Sequence, residues 1–331
     1  DVRGGLAALA SRLVCPSLAA SPHLTGIVEG HCRSGSRLLS EESADLAEAA
    51  REDCQPSSEA LRGAYHEAFD AWVSVSHLRF GPSEQDDRAF ALAFWPDPRG
   101  STPKALGSFL RDEDAVVARP EDFRTVSIAA RGFYALEFLL YDAQFLDAEN
   151  VEYRCQMIRA VTEDIASNAA AILEGWETGY AELMRSPGNQ TYRSETEAAQ
   201  QFFTALSTGL QFTSEARLGR PLGTYERPRP NRAEARRSER ALRHVVLSLQ
   251  GTRDLADKLS DGDAALLDAF DNAIARARNL DDPIFAGVSD PQTRFRVEML
   301  QQNVDLIRRI LSESLGPKLG VAAGFNSLDG D

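Results

Sequence analysis

PSSEALRGAYHEAFDAWVSV, residues 56–75, is the stretch whose reading decides the fold class. A serine cap and an early acid open it, and Leu61, Tyr65, Ala68, Phe69, Trp72 and Val75 then recur at three- and four-residue steps. That spacing sets every apolar side chain on one side of a single helix. Further along, Asp290-Pro291 pairs a capping acid with a proline in the first turn, and Phe295, Met299, Asn303, Val304, Ile307 and Leu311 follow on one side until Gly316-Pro317 stops the run. A helix over about 35–54 and similar stripes over about 148–184, 192–218, 232–258 and 262–279 repeat the pattern, and no stretch sustains the period-two alternation of a strand. The sequence predicts an all-α protein.

Breaks fall at Gly81-Pro82, Trp95–Gly100, Ser186–Asn189 and Arg220–Pro230. The 331 residues suit two packed units, and the Pro/Gly cluster near 186–190 is the best boundary between them. The expected division is an unassigned segment 1–25, a first helical bundle 26–186 and a second bundle 187–331. Residues 81–120, rich in Pro, Asp and Gly with a short helix near 103–111, form a connection long enough to mark a functional loop.

A net charge of −14 opposes binding to nucleic acid, which needs concentrated Lys and Arg to displace counterions. No run of about 18 apolar residues exists to span a membrane. Cys15, Cys32, Cys54 and Cys155 contain no CxxC pair, which leaves disulfides or inert buried thiols. A helix over 35–54 holds Cys32 and Cys54 roughly 30 Å apart at about 1.5 Å per residue. The remaining pairings favour Cys54 with Cys155 and Cys15 with Cys32.

Between Val126 and Tyr141 the only charged residues are Arg131 and Glu137, so Glu137 is expected to be buried. A buried carboxylate needs a partner, a proton or a metal. Arg79, Arg131 or another arginine can answer it, and Tyr134, three residues earlier, shares its helix face. His77 and Arg79 end the preceding long helix beside the irregular loop, where they can line a site or satisfy terminal carbonyls. His23, His31, His66 and His244 show no metal-binding spacing and read as surface or cap positions. The Gly-rich tail reads locally as a frayed terminus.

Taken together, His77–Pro82 (HLRFGP) with Trp72, Phe94–Asp97 (FWPD), Gly132–Leu140 (GFYALEFLL), Arg154-Cys155, Pro187-Gly188, Leu218–Gly223 (LGRPLG), Arg237-Ser238 and the terminal GFNSLDGD resemble the imelysin-like family. That family includes imelysin peptidases, iron-regulated protein A and the carboxy-terminal domain of EfeO-type iron-uptake proteins. The resemblance implies paired helical bundles with a site at their interface. It also implies export to the periplasm or cell envelope, by a signal peptide or lipid anchor, and so a compartment that permits disulfides. The family motif Gly-x-His-x-x-Glu reads Gly132-Phe133-Tyr134-Ala135-Leu136-Glu137 here, with Tyr134 in place of the histidine. Phenolate binds ferric iron, but a tyrosine titrates near about 10, so the metal itself must displace the proton.

The expected function is a periplasmic binding or accessory protein tied to iron uptake. Its site is expected to draw on His77, Arg79, Trp95, Tyr134, Glu137, Asn326, Ser327 and Asp329, with Glu137 facing His77 or Arg79 beneath the tail. Glu137 is the candidate metal ligand and iron the candidate metal. A small ligand or metal and other iron-uptake components of the envelope are the expected partners. The alternative is a metallopeptidase of the imelysin type, which requires several ligands and a metal-bound water.

Overall fold

The computed structural model describes residues 22–147 and 149–321, so the tail residues Asn326, Ser327 and Asp329 and the cysteine Cys15 lie outside the described residues. The long helices are α1 (Ser34–Glu52), α2 (Glu59–Val75), α3 (Ser101–Asp112), α4 (Gly132–Tyr141), α5 (Val151–Gly175), α6 (Glu195–Phe212), α7 (Ala241–Ser260), α8 (Ala264–Arg278) and α9 (Pro291–Ile310). Among the described residues the only sheet-like pairing is one antiparallel bridge, Thr224 to Arg227. Local chemistry sets the helix starts. The side chains of Ser58, Asn150, Ser194, Asp263 and Asp290 each accept a backbone N–H from the first turn of the helix they precede.

Helix α1 packs along both α2 and α5, with α4 laid on α5; α7 packs on α6 and α8, and α9 closes the second group against α6 and α8. The two groups meet where α2 packs on α7. That approach is close: a Cβ on Gly251 of α7 would stand 2.1 Å from the Ser74 carbonyl of α2, so only glycine fits. Buried Asp70 of α2 accepts from Arg243 at 2.6 Å and also pairs with Arg240, which adds an ionic tie at the same seam. A disulfide between Cys54 and Cys155, with Cα atoms 5.2 Å apart, joins the end of α1 to α5. Cys32 is a buried free thiol, its pKa pushed up by burial and by nearby Asp254 and Glu29.

Two segments differ from expectation. Residues 81–120 carry more helix than their composition suggests: short turns at Gly81–Ser83 and Gln85–Asp87, then Arg88–Leu92, α3, Ala115–Ala118 and Pro120–Phe123. In contrast, the stripe expected from 232 becomes regular helix only at Ala241. Pro228 and Pro230 lack backbone donors, and Ala235 and Glu239 adopt positive φ, so the chain turns repeatedly before α7. This folded-back segment is what reaches the site.

Candidate functional site

Helix α4 is apolar almost throughout and buried on nearly every side, so its polar residues must find partners inside the protein. Gly132 opens it at φ +76°, where a Cβ would lie 2.3 Å from the carbonyl oxygens of Ala91 and Leu92. The close contact seats α4 beneath the loop that carries Trp95. That loop is pinned in turn by Asp97, whose two carboxylate oxygens accept the N–H groups of Ser101 and Thr102 at 2.9 and 2.8 Å at the start of α3. These bonds, acting against partial burial, hold Asp97 below the usual carboxylate range. Trp95 thereby lies over Tyr134, ring centroids 6.1 Å apart and planes inclined by 24°.

Two cavities adjoin across this aromatic pair. The first, about 260 Å³, is bounded by Trp95, Asp97, Tyr134, Glu137, Arg220 and Arg232. The second, about 110 Å³, is bounded by Trp72, His77, Arg79, Trp95, Tyr134 and Arg217. His77, Arg79, Trp95 and Tyr134, singled out from the sequence, therefore line one chamber, while Glu137 lines the other beside the same Trp95 and Tyr134.

Glu137 is buried, as expected, but it does not face His77 or Arg79. Its Oε1 accepts the backbone N–H of Ser238 at 2.9 Å and the Ser238 hydroxyl at 2.7 Å, with Arg237 Nη1 3.9 Å from the other oxygen. Burial pushes its pKa up, and the Ser238 bonds and Arg237 oppose that rise. Arg79 instead pairs with Glu84 at 2.5 Å near the surface. Arg131 pairs bidentately with Asp164 at 2.9 and 2.8 Å, which ties the start of α4 to α5.

Tyr134 donates to Glu234, and the other Glu234 oxygen accepts from Arg217 at 2.7 Å. Arg217 sits on a π-helical turn, Thr213–Leu218, that extends α6; the added residue in such a turn redirects side chains. Burial alone raises the Glu234 pKa, but Arg217 and His244 outweigh it and hold the carboxyl down at about 2. Burial and the adjacent Glu234 carboxylate push Tyr134 well above its ordinary value.

Two of the four histidines read as surface or cap positions are in fact buried: His31 on the π-helical turn Val28–Arg33, and His244 on α7. His31 bridges Asp254 at 2.6 Å and His77 at 2.8 Å. His77 Nδ1 has no hydrogen-bond partner among the described residues, and burial followed by its neighbour His31 drives the His77 pKa well down.

These donors do not fit a metal held at the Tyr134–Glu137 position. The phenol is kept protonated and committed to Glu234, Glu137 spends Oε1 on Ser238, and no group of three His, Cys, Asp or Glu side chains with metal-binding geometry exists among the described residues. Ser238, Glu234 and Arg217 were not among the expected site residues. Arg237-Ser238 and LGRPLG were visible as motifs, but nothing local assigned them to Glu137 or Tyr134.

Fold and site together define a class: an all-helical protein of two packed helix groups with a polar, aromatic-walled cleft where segments of both converge. The chain belongs to the imelysin family, whose model matches residues 32–311. An imelysin-like protein from Psychrobacter arcticum 273-4 superposes with a TM-score of 0.76 at 17% identity, covering 93% of this chain and 100% of that one. A candidate iron-regulated protein A precursor from Parabacteroides distasonis ATCC 8503 superposes with a TM-score of 0.68 at 13% identity, covering 90% and 96%. A search of curated proteins finds none that matches.

Proposed function

We propose that this protein is a cell-envelope binding protein serving iron uptake, with a small ligand held in the cleft between residues 94–103, α4 and the 217–240 segment. The observation that carries the reading is the pair of chambers sharing Trp95 and Tyr134, with the neutralised Tyr134–Glu234–Arg217 cluster set behind them. An aromatic wall held by a buried, satisfied polar network is preorganised, so little ordering cost falls on ligand binding. Both buried carboxylates of the cleft already serve as acceptors, Glu137 from Ser238 and Glu234 from Tyr134 and Arg217. That arrangement supports holding a ligand over activating a water for peptide hydrolysis.

The iron-regulated protein A name of a structural neighbour supports the link to iron, and its designation as a precursor supports export. The Cys54–Cys155 disulfide agrees with an oxidising compartment. As a test, the protein is isolated from the envelope of iron-limited bacteria, denatured, and the released small molecules identified by mass spectrometry. A compound present in stoichiometric amount with the wild type and lost from Trp95→Ala is the expected result. Recovery only from the cytosol, or no compound that depends on Trp95, would overturn the reading.

A further inference from the structure

Charge is unevenly placed on this chain. Against a net charge of −14, residues 217–240 carry eight arginines and three glutamates. Guanidinium groups gathered beside a cavity are costly unless something answers them, because like charges repel and partial burial strips hydration. The fold answers several: Arg217 pairs with Glu234, Arg237 with Asp142, and Arg240 with Asp70.

Five are left without an ion pair among the described residues, and two of these, Arg220 and Arg232, stand at the first chamber. Neither has a side-chain hydrogen bond among the described residues. Arg220 Nε is buried without a partner. Burial first, and Arg232 second, depress the Arg220 pKa, so the two charges feel one another across the chamber. The Arg220 guanidinium also stands 5.7 Å from the centre of the Trp95 ring, whose face holds the cation in position. Opposite charge in the chamber is already engaged: Asp97 by two backbone N–H groups and Glu137 by Ser238.

We propose that the first chamber is an anion site, in which Arg220 and Arg232 take the oxygens of a carboxylate-bearing small molecule seated against Trp95. The inference rests on the reading of the cleft as a ligand site and names the ligand class. Guanidinium presents a planar fork of donors that matches a carboxylate with two parallel bonds. A volume near 260 Å³ lies just under the range of about 300–1,000 Å³ typical of drug-sized ligands, which suits a small polycarboxylate. The carboxylates belong either to a free acid or to the shell of a metal chelate, and the chemistry seen by the arginines is the same.

The test is calorimetric titration of the full chain with citrate, ferric citrate and inorganic phosphate at low and high salt. Citrate, free or with iron, is expected to bind saturably and more weakly as salt rises. Affinity should fall about ten- to a hundredfold in Arg220→Gln and in Arg232→Gln, the range expected for loss of a charge-assisted pair, with Arg220→Lys intermediate. Arg232 is exposed, so its variant tests the site even if Arg220→Gln fails to fold. Equal affinity for citrate with and without iron identifies a free acid, preference for ferric citrate identifies a chelate, and both support the inference. No saturable binding of citrate in either form, binding of phosphate alone, or undiminished affinity in the glutamine variants would overturn it. Recovery from the envelope of a neutral or cationic compound that depends on Trp95 would also overturn it, while leaving the ligand-binding reading in place.

Discussion

Replacing Arg217 with methionine isolates the energetics beneath the cleft. Methionine retains much of the apolar stem but removes the charge, leaving Glu234, 1% exposed, with the Tyr134 hydroxyl and His244 as its neighbours. Removing one partner of a buried ion pair typically costs about 3–5 kcal/mol, because the other charge remains desolvated. At about 2 °C per kcal/mol for a chain of this size, Tm should fall by about 6–10 °C at neutral pH. The pH dependence adds a sharper signature. In the wild type the Glu234 pKa is lowered from 4.5 to about 2, so its contribution is fully present above the unfolded value and lost as pH falls from about 4.5 through 2. Over that window the loss is on the order of 3 kcal/mol, about 2 kcal/mol of it by pH 3. Without Arg217 the folded pKa rises and that loss disappears, so the gap between variant and wild type should narrow by about 2 kcal/mol between pH 7 and pH 3. Urea unfolding at the two pH values measures the gap directly. A deficit under about 1 kcal/mol at pH 7, or one unchanged by acid, would refute the reasoning.

Glu137→Ala leaves the Ser238 N–H without its acceptor and its hydroxyl with only the Ala235 carbonyl at 3.2 Å, and should destabilise by about 1–3 kcal/mol, whereas Glu137→Gln retains an acceptor oxygen and should cost less; denaturant midpoints distinguish the two. The Cys54–Cys155 bridge closes a loop with a sequence separation of 101, so chain entropy alone gives it about 4–5 kcal/mol. A reducing agent should therefore lower Tm markedly, and alkylation of the denatured, unreduced chain should leave Cys54 and Cys155 unmodified. The His66 pKa is lowered from 6.5 to about 4 by burial and by Arg240, so its contribution is present above 6.5 and lost as pH falls toward 4. Wild-type stability should begin to decline below pH 6.5, and His66→Gln should flatten the first part of that decline.

The helices that sequence makes legible are those with local signals at both ends. Ser58 and Asp290 each cap a helix, and α2 and α9 start and stop almost as read, although on α9 the expected Phe295 is exposed and Val297 and Leu300 are buried instead. Helix α7 begins later than its stripe suggests, because the positive φ at Ala235 and Glu239 belongs to a fold-back that composition does not reveal. At the site, Glu137 and Tyr134 could be read because polar groups on an apolar helix need partners. Their actual partners, Ser238 and Glu234, lie 101 and 100 residues away, and such pairing leaves no periodic trace. His31 and His244 were misread for a related reason: burial of a lone histidine depends on what packs over it, and here one packs with His77 and Asp254 and the other beside Phe69.

The most direct test of the central claim, that the cleft walled by Trp95 and Tyr134 takes a ligand, is a fluorescence titration in a Trp72→Phe/Trp176→Phe protein, where Trp95 is the remaining tryptophan. The titrant is the small-molecule fraction released from the envelope-isolated protein. The account predicts a saturable change in Trp95 emission, and binding by calorimetry that is lost in Asn231→Trp, which places a large side chain at the wall of the first chamber. Emission that stays constant throughout the titration, or binding that survives the filled chamber, would contradict it.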